Sequence, residues 1–295
     1  MDVEPVLPIG AELGEGPVWA REALWFVDIK CKRAYRFDPA TAWLKHWNAP
    51  DQIGWVLPER SGVMVAGLKS GIARFDPAIG RFEQLFDPEP DRSSNRLNDA
   101  ATAPNGQIWF GTMDDWETRP TGGLYRLGAR ECVDSGLPRV VITNGPAISA
   151  DGHILYHTDT LGKAIWRVSI NDDGSLGPPQ RHIVIESGSG CPDGSVVDVE
   201  GCLWVALFGG WGVRQYAPDG ALIRTIPFPV ANVTKIAFGG PDLRTAYATT
   251  ARKGLDADAL AAQPQAGHLF AFDPGVRGLT TPEADLRGWL TRHAR

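Results

Sequence analysis

The sequence is short of the residues that build the commonest metal and redox centres. Its four cysteines, Cys31, Cys132, Cys191 and Cys202, form no CxxC pair and fit no zinc-knuckle spacing. They read as buried thiols used as small hydrophobes. Its six histidines never fall in HxH or HExxH arrangements, so any metal is left to oxygen ligands. No apolar run approaches the ~20 residues that a membrane-spanning helix needs. The formal net charge is −6 over 295 residues, and the basic residues are scattered. The basic stripe of a nucleic-acid-binding surface is missing. The opening stretch MDVEPVLPIG carries acid where a secretory leader carries base, and it has no long apolar core. These absences predict a cytoplasmic protein with neither membrane nor nucleic acid as partner.

What is present is punctuation. Short apolar runs are broken throughout by Asp, Asn, 34 Gly and 23 Pro, the pattern of an all-β chain. One unit recurs, an apolar stretch, a polar turn and a second apolar stretch: 15–29, 53–68, 98–113, 144–160, 193–208 and 234–250. Each is followed by a further strand that usually ends in a turn, as in RAYRFDP (33–39), GIARFDP (71–77) and HLFAFDP (268–274). Two landmarks in fixed order, at a spacing of roughly forty to fifty residues, predict repeated four-stranded sheets. The expected fold is an all-β six-bladed β-propeller forming a single domain over 1–295. A pair of β-sandwiches does not explain one unit recurring to the end of the chain. The best helical stretch, 254–266, is expected to be a surface excursion. The tail, 281–295, is expected to add a strand that closes the ring with the N-terminal segment.

The phase of the repeat locates a candidate site. In a propeller the innermost strand of each blade starts at one end of the central channel. The residues just before it, Glu15, Ile53, Asn98, Asn144, Asp193 and Thr234, therefore converge on the axis. Five of the six are polar. Carboxylates gathered near an axis repel and lose solvation unless something compensates. Glu15, Asp193 and an Asn carbonyl are oxygen donors suited to a hard divalent cation, with positions left for water and substrate. Taken singly, Asp or Asn before Gly is a common turn former; the case rests on the in-phase set. Asp38, Asp76 and Asp273, at the second landmark, read as turn residues, and NDDGS (171–175) reads as a hairpin turn.

The motifs LGEGPVW (13–19), NRLNDAATAPNGQIWFGTM (95–113), TNGPAISADG (143–152) and PDGSVVDVEGCLW (192–204) resemble the SMP-30/gluconolactonase/luciferin-regenerating-enzyme-like group, and the resemblance runs in order along nearly the whole chain. It implies a six-bladed propeller with one divalent metal in the central channel, held by Glu15, Asn144 and Asp193. It implies substrate contacts from Arg96 and Asn98, and Asp193 as general base. The group often has an acidic residue in the lid loop after GTM. Here Asp114, Asp115 and Glu117 all qualify, with Glu117 carried as the substrate-facing choice. The usual Asn-Gly-Leu is Asn144-Gly145-Pro146, and Pro146 removes a backbone donor, so a local shift of the strand is expected.

The resemblance implies metal-dependent hydrolysis of a sugar-acid lactone, such as xylonolactone or gluconolactone, to the open aldonic acid. Trp116 could cover a sugar face or simply pack, and Trp19, Trp25, Trp109 and Trp204 are expected in the core between blades. The metal is left open among Ca²⁺, Mg²⁺, Mn²⁺, Zn²⁺ and Fe²⁺. Another metal-dependent esterase, such as an organophosphate hydrolase, and a non-catalytic metal-binding propeller are the competing functions.

Overall fold

The computed structural model describes residues 2–290. Six four-stranded antiparallel sheets are arranged as the blades of a β-propeller. Their innermost strands are Gly14–Ala20, Ile53–Pro58, Asn95–Thr102, Thr143–Ile148, Cys191–Val197 and Val233–Gly239, in blades 1 to 6. Each contacts the innermost strands of the two neighbouring blades, which closes the ring. The ring is latched by the N-terminal strand Glu4–Leu7, which pairs antiparallel with Leu269–Phe272 as the outermost strand of blade 6. The expectation that the tail adds a closing strand is corrected here. Residues 281–286 run across the bottom of the molecule, with a single parallel bridge from Ala284 to Glu59, and a short helix, Arg287–Leu290, follows. The rest of the tail lies outside the described residues. The helix within 254–266 is Ala257–Ala262, capped by Asp256 and without a buried residue, as a surface excursion should be.

Aromatic side chains fill the wedges between blades. Trp55 meets Phe110 between blades 2 and 3, and Trp204 meets Phe238 edge-on between blades 5 and 6. Such pairs contribute about 0.5–1.5 kcal/mol each beyond the area they bury. Trp25, Trp109 and Trp204 are buried as expected. Trp19 is only half-buried and stacks on Tyr247 between blades 1 and 6. The cysteine expectation holds for Cys202 alone. Cys31 is exposed, Cys132 and Cys191 are half-buried, and all four are free thiols.

One irregularity recurs where it matters. The ladder between the first and second strands breaks register near the start of every innermost strand. In blades 1, 3, 4 and 5 two inner residues stand against one, as a β-bulge requires: Gly16–Pro17, Asn98–Asp99, Gly145–Pro146 and Asp193–Gly194. Pro17 and Pro146 therefore sit where the ladder is already interrupted. The shift expected from Pro146 exists, but blades 3 and 5 show it without proline. Asp38, Asp76 and Asp273 accept hydrogen bonds from the backbone N–H two residues on, at Ala40, Ala78 and Gly275, and so are turn residues. Asp173 does the same for Ser175.

Candidate functional site

The bulges bend the innermost strands so that side chains of the same repeat phase face one cavity. Glu15, Asn98, Asn144 and Asp193 line it together with Arg96 and Glu117, in a volume of about 170 Å³. Ile53 and Thr234, the other two members of the phase set, are not in its wall. Ile53 is a core residue, and Thr234 Oγ1 donates to Gly14 O at 2.6 Å, tying blade 6 to blade 1.

Hydrogen bonds fix the amides. Asn144 Nδ2 donates to Thr160 Oγ1 at 3.0 Å, while its Oδ1 accepts from Asn98 Nδ2 at 2.9 Å. Asn98 Nδ2 also donates to Thr143 O, and Asn98 Oδ1 accepts from Arg96 Nη1 at 2.6 Å. Asn98 is thus a bridge between Arg96 and Asn144 rather than a turn cap.

The carboxylates are treated differently. Glu15 Oε2 accepts from Gly16 N at 2.6 Å. The Asp193 carboxylate accepts no hydrogen bond from any described residue, although Asp193 is only 5% exposed. Burial, the Glu15 charge and the Asp99 charge push its acid well above the usual carboxylate range. Burial first and Asp99 second push Glu15 up to about 8, against the pull of Lys235 and the Gly16 N–H. Two buried acids that each resist ionisation need a positive charge or a proton between them. Among the described residues no three His, Cys, Asp or Glu side chains gather to form a metal cage. The donor set is two carboxylates and an amide oxygen, which fits a hard cation with open coordination positions.

The three lid acids separate cleanly. Asp114 is buried and organises the lid turn, accepting from Thr118 N, Thr118 Oγ1, Arg119 N and Arg119 Nη2. Asp115 is a hub joining three blades: Lys30 at 2.8 Å, Lys69 at 3.0 Å, Gln52 at 3.0 Å and Arg96 Nε at 3.0 Å all donate to it. Burial opposes its charge, but these donors hold its carboxyl well below the ordinary range. Glu117 alone reaches the cavity, on a left-handed backbone with φ 59°, and pairs with Lys253 from the far side of the ring. Trp116 is 77% exposed and neither packs in the core nor lines the cavity.

Arg96 is 2% exposed, and burial lowers its proton affinity against the pull of Asp115. Its Nε and Nη1 are engaged by Asp115, Leu97 O and Asn98, while Nη2 donates to no described residue. Lys253 and the hub lysines escaped the sequence reading because each acts from a loop on a different blade, with no local pattern to mark it.

The pattern of the SMP-30/Gluconolactonase/LRE-like region matches residues 13–252. A 6-deoxy-6-sulfogluconolactonase of Pseudomonas putida is 35% identical over 274 residues, 92% of this chain and 94% of that relative. An L-arabinolactonase of Azospirillum brasilense is 33% identical over 275 residues, 91% of each. The crystal structure of a calcium-binding protein, regucalcin, from Agrobacterium tumefaciens superposes with a TM-score of 0.92 at 27% identity, covering 97% of this chain and 98% of that one. In sequence motifs, blade architecture and full-length likeness alike, the chain belongs to the SMP-30/gluconolactonase/LRE-like family.

Proposed function

We propose that this protein is a metal-dependent lactonase that hydrolyses a sugar-acid lactone, such as xylonolactone or gluconolactone, to the open aldonic acid. The observation that carries the reading is the Asp193 carboxylate, buried beside Glu15 and Asn144 with no hydrogen-bond donor of its own. A structural acid in a β-sheet is normally satisfied by its neighbours; this one is held ready for something the chain does not supply. The lactonase relatives point to a cyclic ester of a five- or six-carbon sugar acid as that partner.

Glu15, Asn144 and Asp193 would hold one divalent cation. Such an ion would polarise the lactone carbonyl and stabilise negative charge developing on its oxygen. The chain's own residues do the rest. Asp193 accepts the proton of the attacking water as oxygen adds to the carbonyl carbon. It returns that proton to the ring oxygen as the C–O bond opens, so the ester becomes one carboxylic acid and one hydroxyl. Arg96, clamped by Asp115 and Asn98, offers Nη2 to a sugar oxygen in a fixed direction. Asn98 keeps the Asn144 oxygen in register. Glu117 and Lys253 close the mouth from opposite sides and provide an acceptor and a donor for sugar hydroxyls.

The test is acid release from a panel of aldonolactones by protein stripped with a chelator and then reloaded. Activity should disappear on stripping and return with one of Ca²⁺, Mg²⁺, Mn²⁺, Zn²⁺ or Fe²⁺. Full turnover by the stripped protein would end the metal-dependent reading. Turnover of aryl phosphates in preference to lactones would redirect it to the organophosphate alternative.

A further inference from the structure

Immediately after the phase residues comes a second row of the repeat, Gly16, Gly54, Asp99, Gly145, Gly194 and Lys235. It holds one acid, one base and four glycines. Blades 3 and 6 stand opposite each other in the ring, so Asp99 and Lys235 approach from facing walls. Lys235 Nζ donates to Asp99 Oδ1 at 2.6 Å. Asp99 is 0% and Lys235 4% exposed.

Gly194 makes room for this pair. A Cβ on Gly194 would lie 2.4 Å from Lys235 Cγ. Asp99 also accepts from Ala100 N at 2.7 Å and, through Oδ2, from Gly145 N at 3.0 Å. The pair thus touches the backbone directly after Asn144 and directly after Asp193. Lys235 lines a separate cavity beneath, which none of the six upper-site residues reaches. Lys235 is in the wall of the lower cavity only, and Asp99 lines neither. Both charges act on Glu15 and Asp193, Asp99 repelling and Lys235 attracting.

We propose that the Asp99–Lys235 pair is a positioning element that governs cation uptake at Glu15, Asn144 and Asp193: the Lys235 ammonium, a cation built into the chain, opposes a divalent ion above it, and the Asp99 carboxylate favours one. The inference rests on the cation reading of the site given above. A brace that merely held the backbone would loosen the site whichever partner was removed. A charge-setting pair responds with opposite signs, because buried charges near the ion are little screened by water.

The experiment is calorimetric titration of Ca²⁺, Mn²⁺ and Zn²⁺ into stripped protein, with no substrate and no turnover involved. Lys235→Met should tighten binding about tenfold and Asp99→Asn should weaken it about tenfold, while the double variant, which removes both charges, should return to within about threefold of the wild type. Loss of one partner of a buried pair is costly to folding. Should Lys235→Met fail to fold, Lys235→Gln, which removes the same charge and keeps a polar partner for Asp99, takes its place: tighter binding than wild type supports the inference and weaker binding overturns it. Rescue in the double variant alone does not decide, because deleting both partners also relieves an uncompensated buried charge. If wild-type protein binds a cation but every variant binds it more weakly, this inference is overturned and the lactonase reading stands. If wild-type protein takes up none of the three ions, the cation reading itself fails and carries this inference with it.

Discussion

The upper and lower cavities of the central channel differ in the side chains they gather: the upper brings charged and amide groups together between apolar walls, and the lower is mostly apolar with Lys235 at its edge. At the bulges or just before them stand Glu15, Arg96, Asn98, Asn144 and Asp193, around about 170 Å³. Below them stand Trp19, Trp55, Leu57, Ile148, Val197 and Phe238, around about 280 Å³. The strands change character at the break in register. Past it, regular alternation resumes and the inward positions are mostly apolar, Lys235 and Ser195 excepted. At it, Asn98 and Asp193 are bulge residues free of the regular ladder, and Glu15 and Asn144 stand just before it, opposite Val27 and Thr158. On the proposed function, the smaller cavity is the chemical end and the larger one serves stability.

That contrast can be broken or sharpened by substitution. The largest effect should come from Asp193→Asn, which removes the proposed base and a cation ligand while keeping the shape. Lactone kcat/KM should fall by about a thousandfold or more. The melting temperature of the metal-free protein should not fall, because an unpartnered buried acid is lost; a clear drop would mean that Asp193 is structural. The mirror experiment is Trp55→Ala in the lower half, which should cost about 3–5 kcal/mol of stability in denaturant unfolding. The folded fraction should keep nearly normal kcat, and a large loss of kcat would mean that the two halves are not separable.

Asp115→Asn should act between these extremes. It leaves Lys30, Lys69 and Arg96 clustered without their shared anion and frees the Arg96 guanidinium to turn. A loss of about tenfold in kcat/KM is expected, in the range of one charge-assisted hydrogen bond. If Arg96 is the element disturbed, KM should carry a substantial share of it.

A pH dependence tests the same contrast without substitution. In the metal-free protein Glu15 is raised from 4.5 to about 8, so the folded state binds a proton that the unfolded state has released over that window. Stability of the stripped protein should therefore decline as pH climbs from about 4.5 towards 8, and cation affinity should climb over the same interval as the proton leaves. Urea unfolding of stripped protein at both ends of the window, with proton release measured on adding Ca²⁺, checks both signs.

Much of the upper half was legible in the sequence. Repeat phase brings Glu15, Asn98, Asn144 and Asp193 together because each sits at the same point of its blade, and a propeller converts equal phase into spatial proximity. The next phase position was equally legible. Gly16, Gly54, Asp99, Gly145 and Gly194 stand out at once, and Lys235 completes that row, but its pairing with Asp99 requires knowing that blades 3 and 6 face each other. The Asp115 hub was beyond reach. Its donors come from loops of blades 1 and 2 and from the start of blade 3's inner strand, and no periodicity links loops. The direction of closure was misjudged for a similar reason. EPVL near the start and EADL near the end are both short and apolar enough to be an outer strand, and only pairing with Leu269–Phe272 decides between them.

The borrowed strand Glu4–Leu7 has a consequence for how the molecule comes into being. Glu4 lies opposite Ala271, so the circle is fastened only after the last sheet has been made, and until then its founding and final sheets remain raw-edged. The pocket draws on the first, third, fourth and fifth sheets, with Lys253 reaching in from the sixth. No fragment of the circle contains it. Assembly of the pocket is coupled to completion of the ring, and a ligand bound there would act as a clasp on the whole circle.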